Sequence, residues 1–362
     1  MSATTTENRF TRVALLVWLL GVAACSTHPK LETGDPLVER GGSDQGEMWR
    51  RDVGRAVQIP PTPIGDDWIV APTEGPLYRL RGKDGDEQWK RKLRATPTAP
   101  PVLCGGNLIV ATDLPAAEVL CLSPADGKIK WKWGRSLGFI AAADSFLVFA
   151  GRGGRVLALD PASGSVKWER SHPGSGWRPL VVDGTRGLAF VPVRPDTVMA
   201  FDREGTMTWA RRVGSWPRVA LSSEGLLVAT DDSTLLELDP ATGTERARRA
   251  LGAMVAGSPT VENGIAYVTL RSGYLLALDA RTLDERWRIR FEPPLVSAPL
   301  LAGDRIVQSG TRGRVYLVSP TGAPFDTLHH PEAVDTSPGF AAERLAVGGS
   351  GGTVVLYRKQ SG

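Results

Sequence analysis

The chain has 362 residues, of which 42% are apolar and 23% are charged, and its formal net charge at pH 7 is only +4. These proportions are typical of a soluble globular protein, and the lack of a Lys/Arg block argues against nucleic-acid binding. The 41 glycines and 27 prolines favour a fold of many short strands joined by tight turns.

The first 25 residues differ from the rest of the chain. Arg9 and Arg12 precede the apolar run of residues 13–24, which ends at Cys25. This run is shorter than a comfortable transmembrane helix and has the form of a signal-peptide core. We therefore expect residues 1–24 to be a signal peptide.

The residues VAAC that end at Cys25 resemble the lipobox of bacterial lipoproteins. The resemblance implies cleavage before Cys25 and attachment of lipid, including palmitate, to that cysteine, and Ser26 after it implies sorting to the outer membrane. Several acyl chains together anchor a protein stably. The polar residues 25–46 would form a lipidated tether with a reach of about 25 Å. An ordinary signal peptide followed by an incidental cysteine is the alternative.

A phrase recurs along the rest of the chain: a short apolar strand, a turn with Asp or Gly, and a second strand. Two clear copies are EVLCLSPADGKIKW (118–131) and RVLALDPASGSVKW (155–168). Eight copies begin at intervals of 37 to 42 residues, a period that fits a four-stranded propeller blade. No segment shows sustained helical periodicity, so we expect almost no helix.

A hairpin pattern precedes the phrase in each unit, as in GSPTVENGIAYVTL (257–270), so a unit holds four strands. The last unit, TVVLYRKQSG (353–362), lacks a fourth strand, and QGEMWRRDV (45–53) looks like an orphan fourth strand. Pairing these two segments would remove the open sheet edges. The sequence therefore predicts an all-β, eight-bladed β-propeller of four-stranded antiparallel blades over residues 47–362, closed by the N-terminal strand 47–53.

A tryptophan ends most of the repeated phrases. One large ring per unit is suited to filling the space between neighbouring blades, so we predict a blade-packing role for these residues. They are Trp49, Trp89, Trp131, Trp168, Trp209 and Trp287. Ala247 takes this place in the fifth unit and Phe325 lies nearby in the seventh, so we expect those two junctions to be packed differently.

The consensus of the units, an apolar strand ending in Ala-Leu-Asp before a turn and a tryptophan, resembles the PQQ-type propeller repeat. Quinoprotein dehydrogenases with this repeat use PQQ and calcium beside a vicinal disulfide. This chain has no adjacent cysteines, and after Cys25 only Cys104 and Cys121 remain, on strands that we do not expect to be neighbours. We predict no cofactor and no catalytic residue; a quinone-dependent dehydrogenase is the least favoured alternative.

The lipobox, the tether, the chain length and the eight blades together resemble the BamB family, the lipid-anchored propeller subunits of the outer-membrane β-barrel assembly machinery. The resemblance implies a non-enzymatic scaffold in the periplasm, held to the outer membrane by its lipid. It implies one copy docked on the barrel-forming subunit within a hetero-complex. A propeller lipoprotein that binds another envelope partner is the alternative, because blades encode shape and not partner.

Catalytic and metal-binding patterns are sparse. The sequence has no hydrolase elbow, metalloprotease helix motif or P-loop. Its four histidines, His28, His172, His329 and His330, fall in the tether or in predicted loops, without further ligands at zinc spacing. We therefore predict no metal site.

Two tryptophans break the repeat. Trp177 and Trp216 lie in predicted loops between consecutive blades, with Arg178 and Arg218 close by. Tryptophan and arginine are enriched among interface hot spots, so we predict that these four residues contact a partner. The resemblance to BamB implies an arginine in such a loop, for which Arg178 is the counterpart, and aspartates that RRVGSWPRV (211–219) lacks. The alternative is that both rings cap blade junctions internally.

Overall fold

The computed structural model describes residues 46–358, except 135–137, 152, 175–177, 224, 293–294 and 296. The described residues form β-strands joined by turns and loops, and they contain no helix. Consequently none of these residues belongs to a helix that is long and apolar enough to span a membrane. Cys25 and Trp177 lie outside the described residues.

The strands are, in chain order, β1 Glu47–Asp52, β2 Thr62–Ile64, β3 Asp67–Val70, β4 Pro76–Leu80, β5 Glu87–Lys92, β6 Val102–Cys104, β7 Asn107–Ala111, β8 Glu118–Leu122, β9 Ile129–Gly134, β10 Gly138–Ala143, β11 Phe146–Gly151, β12 Arg155–Leu159, β13 Val166–Ser171, β14 Val181–Asp183, β15 Leu188–Val193, β16 Thr197–Phe201, β17 Met207–Arg212, β18 Arg218–Leu221, β19 Leu226–Ala229, β20 Thr234–Leu238, β21 Glu245–Ala250, β22 Thr260–Glu262, β23 Ile265–Thr269, β24 Tyr274–Asp279, β25 Glu285–Arg290, β26 Leu300–Ala302, β27 Arg305–Ser309, β28 Arg314–Val318, β29 Pro324–His329, β30 Gly339–Ala341, β31 Arg344–Gly348 and β32 Thr353–Arg358.

These strands form eight four-stranded antiparallel sheets, which are the eight blades of a propeller. Blades 1 to 7 take consecutive strands, from β2–β5 in blade 1 to β26–β29 in blade 7. Blade 8 combines β30, β31 and β32 with β1, so that Trp49 pairs with Leu356 and Arg51 with Val354. The predicted fold class and the closure by the N-terminal strand are therefore confirmed. Pairing with β1 covers the edge of β32 that would otherwise be exposed.

Burial explains why the inner and outer strands carry different patterns. Strands in the middle of a blade have another blade on each side, so they read as continuous apolar runs. All six residues of β11, FLVFAG, are buried. The outermost strand of each blade faces solvent on one side and alternates, as in β5, EQWKRK, where Trp89 is the buried residue of the strand.

The strand order defines two faces of the ring. Because successive strands run in opposite directions, the turns that join first to second and third to fourth strands lie on one face. We call this the turn face. The turns that join second to third strands and the connectors between blades lie on the opposite face, which we call the connector face. First strands of consecutive blades, such as β26 and β30, contact each other, so they line the centre of the ring.

A β-bulge recurs between the third and fourth strands of every blade. In blade 3, Ala158 pairs with Trp168 and Leu159 pairs with Val166, so Lys167 is the extra residue. A bulge re-aims the side chain beside it. In this propeller the bulge directly precedes the repeated tryptophan, which places the ring against the next blade.

Each repeated tryptophan meets the third-to-fourth-strand turn of the next blade. Trp131 of blade 2 donates its indole N–H to the carbonyl of Pro161 at 3.1 Å. The ring lies so close to Gly164 that a Cβ there would be 2.5 Å from a ring carbon. Gly164 also has a φ of 73°, so two constraints select glycine. Asp160 starts the same turn by accepting the N–H groups of Ala162 and Ser163, each at 2.9 Å.

The same arrangement is found at five further junctions, with indole-to-carbonyl distances between 2.7 and 3.1 Å. The tryptophan and turn-glycine pairs there are Trp49 with Gly85, Trp89 with Gly127, Trp168 with Gly205, Trp209 with Gly243, and Trp287 with Gly322.

The junction between blades 5 and 6 replaces both members of the pair. Ala247 pairs with Glu237 in the register of the tryptophan, and Leu283 takes the place of the turn glycine. Leu283 keeps a φ of 62°, is only 1% exposed and packs in one cluster with Ala247. A small residue on one blade is therefore matched by a large residue on the next.

The junction between blades 7 and 8 also lacks the pair. Phe325 falls at the bulge, and Asp326 occupies the register of the tryptophan opposite Leu317. In blade 8 the third and fourth strands come from opposite ends of the described chain. No turn joins them, so no turn glycine is available to receive a ring.

Candidate partner-binding site

The residues that break the repeat converge on the connector face. Arg178 lies in the connector between β13 and β14, and Trp216 lies in the connector between β17 and β18. Arg218 is the first residue of β18. Asp231 comes from the turn between β19 and β20, 53 residues after Arg178. We call these four residues, together with Arg194, the arginine–tryptophan cluster.

Asp231 holds two of the arginines. Its carboxylate accepts hydrogen bonds from Arg178 Nη2 at 3.3 Å and from Arg218 Nη1, and its backbone N–H donates to the carbonyl of Ser215 at 2.8 Å. The backbone bond ties the turn of blade 5 to the preceding connector, so the ion pairs are fixed relative to Trp216.

Arg218 is only 3% exposed, which does not fit the direct partner contact expected for it. Its position at the start of β18 aims the side chain inward, where Asp231 neutralises it. A charge buried in this way is stabilised only while its partner is present. Arg218 therefore acts as a positioning residue, which holds the carboxylate of Asp231 in place.

Trp216 sits in a constrained backbone. Its φ is 51°, a left-handed conformation that a bulky residue adopts only at an energetic cost and that often marks functional sites. Its N–H donates to the carbonyl of Pro195 at 2.7 Å. The half-buried ring lies beneath the guanidinium of Arg194 and 5.5 Å from that of Arg178, so cation–π contacts hold both arginines over it.

The neighbouring charges act on Arg178. Burial lowers the pKa of the Arg178 guanidinium, the charges of Arg218, Arg194 and Arg271 lower it further, and Asp231 opposes them. Arg271 comes from the turn between β23 and β24, on the same face. Asp232, in the same turn as Asp231, accepts the N–H of Ser215 at 3.4 Å, so arginines and carboxylates are mixed here, as in the polar part of many protein interfaces.

The aspartate that the connector sequence lacks is thus supplied by the turn between β19 and β20 of blade 5. The signal in the sequence is TDDS (230–233), a short turn with two consecutive acids. The sequence did not predict Arg194 and Arg271 as site residues, because each lies in a turn between second and third strands.

Trp68 and Trp133 are two further tryptophans outside the repeat position. Trp68 is buried. Trp133 is partly exposed, and the Cζ atom of Arg155 lies 5.6 Å from the centre of its ring.

The cysteines behave as buried fillers. Cys104 lies on β6 and Cys121 on β8, with β7 between them, and both are free and buried. Burial raises the pKa of both thiols, which disfavours the reactive thiolate. The Cys104 thiol donates to the carbonyl of Asp144 at 3.2 Å.

Within the described ranges, no group of three or more His, Cys, Asp or Glu side chains is arranged to hold a metal ion. His330 is buried and His172 is half-buried, and burial lowers the pKa of each. His330 Nδ1 accepts the backbone N–H of Glu332 at 3.1 Å. The Glu332 carboxylate in turn accepts the N–H of Gly351 at 2.7 Å. His330 therefore stabilises, through Glu332, the turn between β31 and β32 of blade 8.

The eight blades, the repeated phrase and the closure define the chain as a propeller of PQQ-like repeats. A family profile described as outer membrane protein assembly factor BamB matches residues 31–133, 116–236, 194–323 and 231–362. These matches span most of the chain, and the chain belongs to this family. No curated protein sequence matches it.

Solved structures share the fold at low sequence identity. BamB from Moraxella catarrhalis is 16% identical, with a TM-score of 0.74 over 86% of this chain and 99% of that one. The computationally designed Ika8 protein is 13% identical, with a TM-score of 0.73 over 86% and 99%. Quinohemoprotein alcohol dehydrogenase from Comamonas testosteroni is 12% identical, with a TM-score of 0.71 over 88% and 77%. At these identities the likeness concerns the fold.

Proposed function

We propose that the protein is a non-enzymatic scaffold lipoprotein of the periplasm and a subunit of the outer-membrane β-barrel assembly complex. Membership of the BamB family supports this role. The arginine–tryptophan cluster on the connector face is the observation that carries it, because aromatic and arginine side chains are common anchors of protein interfaces.

The partner contact would be made by the exposed parts of the cluster. Trp216, Arg178 and Arg194 are each partly accessible, and the two arginines can pair with carboxylates on the barrel-forming subunit. Trp177 adjoins Arg178 in the same connector and belongs to the proposed contact. Arg218 and Asp231 hold the contacting side chains in place.

The proposed lipid anchor is consistent with this arrangement. Gly46 precedes β1, and its carbonyl accepts the N–H of Arg358 at 2.7 Å. Because β1 is a fourth strand and runs toward the connector face, Gly46 lies on the turn face. A tether from Cys25 would therefore leave the ring on the face opposite to the cluster, so that anchoring and docking do not compete for surface.

Pull-down of the barrel-forming subunit tests the docking site. The double variant Arg178→Gln/Trp216→Ala should recover at least about tenfold less partner, because it removes two anchors of the interface. A matched control is Arg155→Gln/Trp133→Ala, which removes another partly exposed arginine–tryptophan pair. Equal recovery with a folded Arg178/Trp216 variant and with the wild type would refute docking through this cluster.

The lipid proposal has its own test. Radiolabelled palmitate should be incorporated into the wild-type protein and not into Cys25→Ala, which should also leave the membrane fraction. Retention of label by the variant would place the acyl chains elsewhere.

A quinone-dependent dehydrogenase remains the second candidate, because the Comamonas testosteroni enzyme shares the fold. The described residues do not offer the vicinal cysteine pair expected of such a site. Dye reduction with alcohol substrates after addition of PQQ and calcium separates the two functions: we expect no activity above a protein-free blank.

A further inference from the structure

Lysine is confined to one side of the propeller. Between residues 46 and 358 the chain has seven lysines, and none of them lies in blades 4 to 8. Six belong to the fourth strands of blades 1 and 2 or to the turns that precede these strands, and all six are exposed. We call these six residues the lysine edge: Lys83, Lys90, Lys92, Lys128, Lys130 and Lys132.

The surroundings of the lysine edge carry net positive charge. Segments 81–94 and 126–132 together contain nine cations and four acids, whereas segment 319–329 of blade 7 contains one acid and no Lys or Arg. Cations on an outermost strand also discourage pairing with other chains. In blades 4 to 6 that need is met by arginine alone, as in β21, ERARRA. The choice of lysine in blades 1 and 2 therefore calls for a further explanation.

Most of these lysines are only loosely paired with acids. Lys128 lies 2.9 Å from a carboxylate, whereas Lys90 and Lys132 lie 3.6 Å from the carboxylates that they pair with. Among the residues that the structure describes, neither Lys83 nor Lys92 forms an ion pair. Positive charge is thus available at the surface of both blades.

The lysine edge lies beside the strand at which the N-terminal tether ends. β1 follows Gly46 and is the outermost strand of blade 8. Trp49 of β1 donates its indole N–H to the carbonyl of Gly82 at 3.1 Å, in the turn that holds Lys83. The tether and the first of the six lysines are therefore held at the same part of the rim.

Two more lysines point toward that part of the rim. Lys90 and Lys92 follow Trp89 at alternate positions of β5, and the Trp89 indole bonds to a turn of blade 2. Alternate side chains of a strand project from opposite sides. These two lysines therefore point away from blade 2, toward the side of blade 8 on which β1 lies.

We propose that the lysine edge contacts the headgroups of anionic phospholipids, at the surface of the membrane to which the tether is anchored. The six lysines are exposed on the outer rim, where a flat surface reaches them without a pocket. Lysine binds phosphate as a flexible point charge, whereas protein interfaces are enriched in arginine and depleted of lysine. Clustered cations at an anionic membrane surface add to its attraction.

An exposed apolar side chain fits the same contact. Ile129 is 45% exposed and stands between Lys128 and Lys130. An apolar residue flanked by lysines is suited to the boundary between headgroups and acyl chains. A tether that reaches about 25 Å would keep this part of the rim close to the bilayer.

The orientation of the contact rests on the proposed lipid anchor, but the contact does not rest on docking at the arginine–tryptophan cluster. That cluster is centred on blades 4 and 5, away from the lysine edge. A protein that stands on blades 1 and 2 would leave the cluster free for a partner.

Acylation of individual lysines, followed by mass spectrometry, tests the contact. The mature protein is reconstituted into phosphatidylcholine vesicles with or without phosphatidylglycerol and is treated with a water-soluble N-hydroxysuccinimide ester. The six lysines should react about fivefold more slowly when phosphatidylglycerol is present, and high salt should abolish the difference. Lys167 of blade 3, whose side chain is 47% exposed, should react equally in both vesicles.

Charge-removing variants separate this edge from the rest of the rim. Lys83→Gln/Lys92→Gln should restore most of the reactivity of Lys128 in phosphatidylglycerol vesicles. The control Arg212→Gln/Arg248→Gln removes the same charge from exposed positions of blades 4 and 5 and should leave Lys128 protected. Circular dichroism checks the fold of each variant.

Three results would overturn the proposal: equal labelling of the lysine edge in the two kinds of vesicle, equal loss of protection in both double variants, or protection that appears only when the barrel-forming subunit is added. The last result would assign the edge to a protein partner. Failure of the proposed lipid anchor would show separately, as loss of the protein from the vesicles of phosphatidylcholine alone.

Discussion

The junction between blades 5 and 6 allows a direct test of the packing rule. Ala247→Trp alone should place a ring against Leu283, and overpacking of this kind costs about 1–3 kcal/mol. Leu283→Gly alone removes a side chain that is 1% exposed and leaves a cavity. A buried leucine truncation costs about 2–5 kcal/mol, of which about 1–2 kcal/mol is regained by relieving a left-handed residue.

The double variant recreates the tryptophan–glycine pair found at six other junctions. We expect it to lie within about 1–2 kcal/mol of the wild type, which corresponds to a favourable coupling energy of about 2 kcal/mol. Urea unfolding followed by far-ultraviolet circular dichroism gives the free energy of unfolding for each variant.

The reverse swap serves as a matched control. Trp209→Ala and Gly243→Leu should each destabilise the junction between blades 4 and 5, where a Cβ on the glycine would approach the ring to 2.7 Å, and the double variant should recover part of the loss. Additive losses in both pairs would refute the idea that ring and turn are matched across a junction.

Three further predictions follow from other contacts. Trp168→Phe keeps an aromatic ring but removes the indole N–H that donates to the backbone carbonyl of Arg203 at 2.7 Å, so urea unfolding should show a loss of about 1 kcal/mol; no loss would mean that this hydrogen bond is not stabilising. Deletion of β1 should expose the edge of β32 and give oligomers on size-exclusion chromatography, whereas a stable monomer would contradict closure by that strand. Because burial lowers the pKa of His330 below the 6.5 of the unfolded chain, its contribution to stability is complete above pH 6.5 and is lost as the pH falls through the folded pKa. His330→Gln should therefore flatten the acid side of the stability profile, and an unchanged profile would exclude this histidine as a cause.

The repeat made the fold predictable. The period of the repeat and the recurring tryptophans can be recognised in local stretches of sequence, because every blade repeats the same strands and turn. The blade architecture could therefore be predicted without knowing any contact between distant residues. The orphan strand around Trp49 was predictable for the same reason, since a closed ring leaves one place for it.

The site was only partly predictable, because it depends on turns that the repeat does not constrain. Trp216 and Arg178 stood out as departures from the pattern. Asp231 and Arg194 lie in ordinary-looking turns of two different blades, and only the ring brings them together. The burial of Arg218 was equally hidden, since a sequence does not reveal which way the first residue of a strand points.

The matched replacement at Ala247 and Leu283 shows the same limit. Each departure was visible in the sequence, but their contact was not, because they belong to consecutive blades. Steric compensation of this kind is a property of the pair.

Affinity purification of the native protein from solubilised membranes, followed by mass spectrometry, tests the proposed role most directly. We expect the barrel-forming subunit of the outer-membrane assembly complex to be the principal co-purifying protein. The variant Arg178→Gln/Trp216→Ala should remove it, while Arg155→Gln/Trp133→Ala should not. Recovery of a different envelope protein in its place, unaffected by the first variant, would contradict both the proposed complex and the proposed docking site.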